Sequence, residues 1–154
     1  MELASLVEPS AVRVAGKVNS KKRLFLSIGD VVQAAYGLNC DNAAEALQER
    51  ENLGPTAVGR GIALPHARVA GLDRICGAFL RLESPLDFGA ADRQGVDLVF
   101  ALFAPPNAGA DHLKALALVS RTMRDSDVCS KLRANSDPTT IHAILAAGPA
   151  SKAA

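Results

Sequence analysis

The chain has 154 residues, 49% hydrophobic and 21% charged, which is apolar enough for one core and too apolar for a disordered chain. Lys and Arg total 17 against 16 Asp and Glu, a formal charge of +1, so no bulk electrostatic pull directs it to nucleic acid or into an anionic membrane. Aromatic residues make up 4%, with no Trp and one Tyr, which argues against base-stacking platforms and aromatic sugar-binding faces.

In chain order, Met1 to Pro9 carries Glu2 and Glu8 with no basic stretch ahead of an apolar one, so no secretory signal is expected. Val12-Arg13-Val14 alternates as a strand does. Ser20 is placed to cap a helix over Lys21 to Gly37, with Leu24, Ile28, Val31, Val32 and Ala35 at helical spacing and Gly37 as the stop. Asn42-Ala-Ala-Glu45 has capping-box form and predicts a second helix to about Asn52, ended by Gly54-Pro55. Residues 54–61, rich in Gly, Thr and Pro, read as a loop. Ile62-Ala63-Leu64 is a short apolar run stopped by Pro65.

Ile75 to Leu82 predicts a strand with Cys76, Ala78, Leu80 and Leu82 on one face. Gly95 leads into Val96 to Phe103, apolar except for Asp97, which suits a central strand covered on both faces. Pro105-Pro106-Asn107 ends it. Leu113, Leu116, Ala117, Ser120 and Met123 mark the apolar stripe of a helix from about Asp111. Val128 to Ala134 and Asp137-Pro138 to Ala147 predict two more helices, the second with Asp as cap and Pro at its first position. This order implies a single α/β domain over residues 1–148, a small mixed β-sheet with helices on both faces, then a small-residue tail over 149–154.

Cys40, Cys76 and Cys129 are an odd count without a CxxC pair, which points to reduced, buried thiols in a cytoplasmic protein. The most apolar window, Val96 to Ala104, is far shorter than the ~20 residues that span a bilayer.

The sharpest segment is Gly59-Arg60-Gly61-Ile62-Ala63-Leu64-Pro65-His66-Ala67-Arg68. It is neither a dinucleotide fingerprint nor a P-loop, and the chain has no GxSxG and no HExxH or other close His pair, so no metal or cofactor is expected. Pro65 fixes its own φ and biases Leu64 to extended geometry, giving His66 a defined position at the end of a strand that follows a glycine loop. Arg60, Arg68 and the approachable backbone at Gly59 and Gly61 supply cationic and N–H donors of the kind a phosphoryl-accepting histidine needs. A histidine merely hydrogen-bonded at a loop end explains the same spacing. His142 lies off the Ile141, Ile144, Leu145 stripe of the last helix and reads as a surface residue.

The run from Ala46 to Arg68, with Arg50-Glu51, the Gly59-to-His66 loop and the later His112-Leu113, resembles the type-2 IIA domain of the bacterial phosphotransferase system, the fructose/mannitol group that includes the nitrogen-regulatory proteins. The resemblance extends through Gly95 to Pro105 and the helix beginning near His112. It implies a phosphotransferase component working through a phosphohistidine. His66 matches the phosphorylated residue, Arg50 the active-site Arg, and His112 a second active-site His; Thr56 would help hold the loop. The implied donor is a histidine-containing phosphocarrier protein, and the acceptor a regulated target protein or a IIB domain. Two departures stand out: Ala67 where many members carry Gly, and Arg60 between the two glycines. Three functions follow: a phosphorylation-dependent regulator, a sugar-specific IIA component feeding a IIB domain, or an interaction module with idle histidines. The Ser-Lys-Lys-Arg-Leu opening of the first helix and the Thr-Ala-Val-Gly loop favour the regulator.

Overall fold

A computed structural model describes residues 1–150, so the part of the expected tail from Ser151 to Ala154 lies outside the described residues. After a 3-10 turn at Leu3–Ser5 come strand β1 (Val7–Ala15), helices α1 (Lys21–Tyr36) and α2 (Cys40–Glu51), and three short strands, β2 (Ala57–Gly59), β3 (Ile62–Ala63) and β4 (His66–Arg68). Two long strands follow, β5 (Cys76–Leu86) and β6 (Val96–Ala104), then helices α3 (Ala110–Arg124), α4 (Ser126–Ala134) and α5 (Pro138–Ala147). The fold is the expected α/β domain built on a mixed sheet. Its order is β1-β5-β6-β3-β2, with β4 also paired to β6.

The apolar run at 96–103 becomes the middle of this sheet. β6 pairs antiparallel with β5 on one side and parallel with β3 and then β4 on the other. Every β6 residue except Asp97 is buried, and β5 is buried without interruption from Cys76 to Leu80. Consecutive burial means that both faces are covered, since successive side chains point to opposite sides. All five phenylalanines lie in that core: Phe25, Phe79, Phe88, Phe100 and Phe103. Phe79 and Phe100 meet edge-on at 6.3 Å, as do Phe25 and Phe88 at 6.5 Å.

Local signals place most helix ends. Ser20 accepts the Arg23 N–H, and Gly37 closes α1 in the left-handed region at φ 74°. Asp137 caps α5 with Pro138 at its start, and Asp125 caps α4. The second helix begins earlier than the capping box implies. Asn39 is its cap, accepting the Asn42 N–H at 2.9 Å, and the Cys40 N–H is taken by the Gln33 side chain. Only Leu38 separates the glycine stop of α1 from that cap, so the chain reverses too tightly for the start to wait until Asn42.

Several expectations change once strands can pair. The alternation at 12–14 is the end of a nine-residue strand running parallel to β5, whose register shifts between Val7 and Val12 around Pro9. Residues 57–59, expected in a loop, form an antiparallel hairpin with β3. His66 starts a strand rather than ending one, its segment lying alongside Leu102 to Ala104. Ala67 pairs with Phe103 in that strand and has no positive φ, so its Cβ brings no strain. On α3 the stripe that faces inward is His112, Ala115, Val119, Thr122 and Met123, whereas Leu113 is 68% exposed. His142 is not a free surface residue: it is half-buried, with Nε2 3.0 Å from the Val7 carbonyl, and ties α5 to β1.

The hairpin turn is clamped from outside. Arg60 has φ 59°, its N–H donates to Asp92 at 2.8 Å and its carbonyl accepts from Arg133, which also grips Asp97 through two nitrogens. Gly61 has φ +80°, and a Cβ there would lie 2.7 Å from the Arg133 Nη2 and 2.9 Å from Asp97 Oδ1. Gly61→Ala should therefore destabilise the fold by about 1–3 kcal/mol through backbone strain and a broken clamp. Urea unfolding measures it, and an unchanged midpoint would show that the turn does not need glycine.

Candidate functional site

Two segments converge at the C-terminal end of β6. β4 lies beside its last residues and delivers His66 opposite Leu102; after Ala104 the chain turns through 105–109 into α3, whose third residue is His112. The rings stand edge to face with centroids 5.8 Å apart. With Arg50, Arg68, Ala46, Glu49, Leu53 and Ala67 they line an open cleft of about 330 Å³.

The hydrogen bonds set the two rings in opposite tautomers. His66 Nδ1 is 2.9 Å from the Leu64 carbonyl, which can only accept, so Nδ1 carries the proton and Nε2 keeps its lone pair. Arg68 Nε lies 3.5 Å from His112 Nδ1 and can only donate, so the His112 proton sits on Nε2. That Nε2 is buried and, among the described residues, has no hydrogen-bond partner. A buried donor without a partner costs about 1–3 kcal/mol unless something arrives to accept it. One imidazole of the edge-to-face pair thus keeps a free lone pair and the other an unused N–H. Burial, and after it the neighbouring charges of His66 and Arg68, push the His112 pKa below its ordinary 6.5, which keeps the ring neutral at pH 7.

The backbone that aims His66 is held from behind. Glu51 is buried; it accepts the Thr56 hydroxyl at 2.6 Å and the Thr56 N–H, and pairs with Lys21 at 2.8 Å. The Thr56 carbonyl in turn accepts the Leu64 N–H at 3.0 Å. Leu64 is therefore fixed through both its N–H and its C=O, and Pro65 stiffens the link to His66. Arg50, one residue before Glu51, is half-buried and donates to the Gly54 carbonyl at 3.2 Å. Among the described residues neither Arg50 nor Arg68 is paired with a carboxylate, so both charges are available to an incoming anion.

Comparison with known proteins identifies the family. Residues 5–148 match the family described as "Phosphoenolpyruvate-dependent sugar phosphotransferase system, EIIA 2". The chain belongs to that family. A nitrogen regulatory protein of Bradyrhizobium diazoefficiens is 47% identical over 153 residues, 99% of this chain and 100% of the relative. A fructose-specific EIIA component of Haloferax volcanii is 34% identical over 146 residues, 95% of this chain and 90% of its own. The crystal structure of nitrogen regulatory protein IIA-Ntr from Neisseria meningitidis superposes with a TM-score of 0.84 at 34% identity, covering 93% of this chain and 98% of that one. Among the described residues no helix is long and apolar enough to cross a membrane.

Within this EIIA 2 chain the structure brings together His66, His112, Arg50 and Arg68, and puts Thr56 behind them. It does not bring the glycine turn to the cleft. Gly61 meets β6 at Asp97, whose N–H donates to the Gly61 carbonyl, five residues and about 16 Å along the strand from Leu102. Gly59, Arg60 and Gly61 shape a hairpin at the far end of the sheet, where the Arg60 N–H donates to Asp92 and the Arg60 and Gly61 carbonyls accept from Arg133 and the Asp97 N–H. Glu51 was named in the motif with Arg50 but given no role of its own. Its signal was a carboxylate beside Arg50 at a helix C-terminus, where the dipole disfavours a negative charge unless a cation such as Lys21 meets it.

His112 sets a pH dependence of stability. Its pKa is lower in the fold than in the unfolded chain, so its contribution is present above about 6.5 and is lost as pH falls through that value towards the folded pKa. Replacing His112 by Asn should remove this component, seen as a flatter stability–pH curve below pH 7 in urea titrations. A curve unchanged by the substitution would mean that the ring charges freely within the fold.

Proposed function

We propose that this chain is a phosphoryl carrier and regulator that accepts a phosphoryl group on His66 Nε2 from the phosphohistidine of a histidine-containing phosphocarrier protein. The observation that carries the reading is that one cleft holds both the His66 ring, its Nδ1 occupied by the Leu64 carbonyl, and the partnerless His112 Nε2. In the transfer the Nε2 lone pair attacks phosphorus as the donor's N–P bond breaks, and the donor imidazole keeps that electron pair. The Nδ1 proton of His66 stays on the ring, donated to the Leu64 carbonyl. His112 donates to a phosphoryl oxygen, while the Arg50 and Arg68 guanidiniums offset the negative charge. Leu53, 83% exposed, lines the cleft, and Leu113, 68% exposed, follows His112 in the chain; exposed leucines suit a protein partner better than a small molecule. The transfer runs in reverse or onward when a partner with a suitable acceptor docks on the same face, and a donor charged from phosphoenolpyruvate places the work in the cytoplasm.

The nitrogen-regulatory role is favoured by the whole-length identity to the Bradyrhizobium protein bearing that name. A second reading, a sugar-specific component passing phosphate to a IIB domain, is supported by the Haloferax relative named fructose-specific. On either reading His66 is the same nucleophile, and no cofactor is needed.

Incubation with phosphoenolpyruvate, enzyme I and the phosphocarrier should add one acid-labile phosphate by mass, and His66→Ala should abolish it. Arg50→Ala should slow transfer on the order of 10²-fold with the unfolding transition unchanged. A protein that gains no phosphate would sink both carrier readings and leave an interaction module. Phosphoryl transfer to a fructose- or mannitol-type IIB domain would select the transport role over the regulatory one.

A further inference from the structure

We propose that Arg68 is a positioning residue for His112: by donating to Nδ1 it locks the imidazole as the Nε2–H tautomer and so aims a hydrogen-bond donor at the group carried by His66. The inference rests on the carrier reading for its purpose, though not for its geometry. Arg68 is exposed and lies two residues after His66 on β4, so a short reach across the cleft lets one guanidinium touch two elements. Its Nε faces His112 Nδ1 at 3.5 Å and its Nη1 faces the Pro106 carbonyl at 3.4 Å, in the loop that delivers α3. The planar fork is held at both points, which a flexible ammonium would not reproduce.

The alternative arrangements of the ring are disfavoured by the same contact. A proton on Nδ1 would point an N–H at an N–H, and in the doubly protonated ring it would also set two like charges side by side. The ionisable groups around His112 are His66 and Arg68 from β4, Glu49 and Arg50 from α2, and Asp111 on its own helix. Among them Arg68 is the one bonded to the ring, and its charge adds to burial in keeping the imidazole neutral. The donor on β4 thus selects which nitrogen of the α3 histidine is free to donate. The two histidines are prepared in complementary states by two different acceptor and donor groups: Leu64 C=O for His66, Arg68 for His112.

The test is nitrogen NMR of the imidazoles in the unphosphorylated full chain, comparing wild type, Arg68→Met and Arg68→Lys. Met keeps the length and apolar stem of an exposed side chain, and a thermal melt checks that it folds. In the wild type His112 should titrate as a single Nε2–H tautomer. In Arg68→Met the two tautomers should mix and the His112 pKa should rise, with Arg68→Lys between the two. Phosphoryl transfer to His66 in Arg68→Met should fall roughly tenfold. A His112 tautomer and pKa that are the same in all three proteins would overturn the proposal, whatever the transfer rate. A wild type that takes no phosphate yet shows the tautomer change would instead overturn the carrier reading and leave the positioning role standing.

Discussion

The C-terminal half of β6 is the constraint on which the rest depends. It holds β4 by parallel hydrogen bonds and then, through a five-residue turn, launches α3. Both histidines hang from that end of the strand, so their separation is set by backbone pairing rather than by flexible side chains. Open α/β sheets place ligands at the carboxyl ends of their strands for this reason: the strands end there together, and the connecting segments supply the groups. The almost unbroken burial of β6 means that neither element can slide without exposing Leu98 to Ala104.

On that frame the chemistry is a matter of proton placement. A bare pair of neutral imidazoles has four tautomer combinations, and only one puts a lone pair beside an N–H in the arrangement described. The backbone carbonyl of Leu64 selects it for His66, and the Arg68 guanidinium for His112. Glu51, Thr56 and Lys21 form the layer beneath, and they convert a buried carboxylate from a liability into a fixed anchor because three donors meet it. The net charge of +1 conceals this polarity. Arg50 and Arg68 lack carboxylate partners among the described residues and share a cleft with one acidic side chain, Glu49, so the site is locally cationic inside a balanced molecule.

The glycine turn shows how a motif can be read correctly for family and wrongly for place. Gly59, Arg60 and Gly61 stand next to His66 in the sequence and suggest a phosphate cradle. The extended segment from Ile62 to His66 carries the chain the length of the sheet, so the two ends of the motif face different neighbours. At Gly61 the Arg133 and Asp97 side chains occupy the space a Cβ would need, and both glycines hold positive φ in the turn.

Sequence alone determined what is local. Ser20, Gly37 and the Asp137-Pro138 pair mark helix ends because caps act within one turn; the run at 96–103 marks a central strand because burial on both faces needs no alternation; and the Gly59-to-His66 loop marks the family because its residues are consecutive in the chain. Tertiary structure decided what depends on partners far along the chain. Which face of α3 turns inward followed from the layer it packs against, and this buried His112 while exposing Leu113. Residues 57–59 and 66–68 became strands because neighbouring strands offered hydrogen bonds their own composition does not demand. Arg68 meets His112 across 44 positions and His142 meets Val7 across 135, contacts that no local pattern encodes. His66 stands out within ten consecutive residues; His112 and Arg50 stand beside it only because the chain folds.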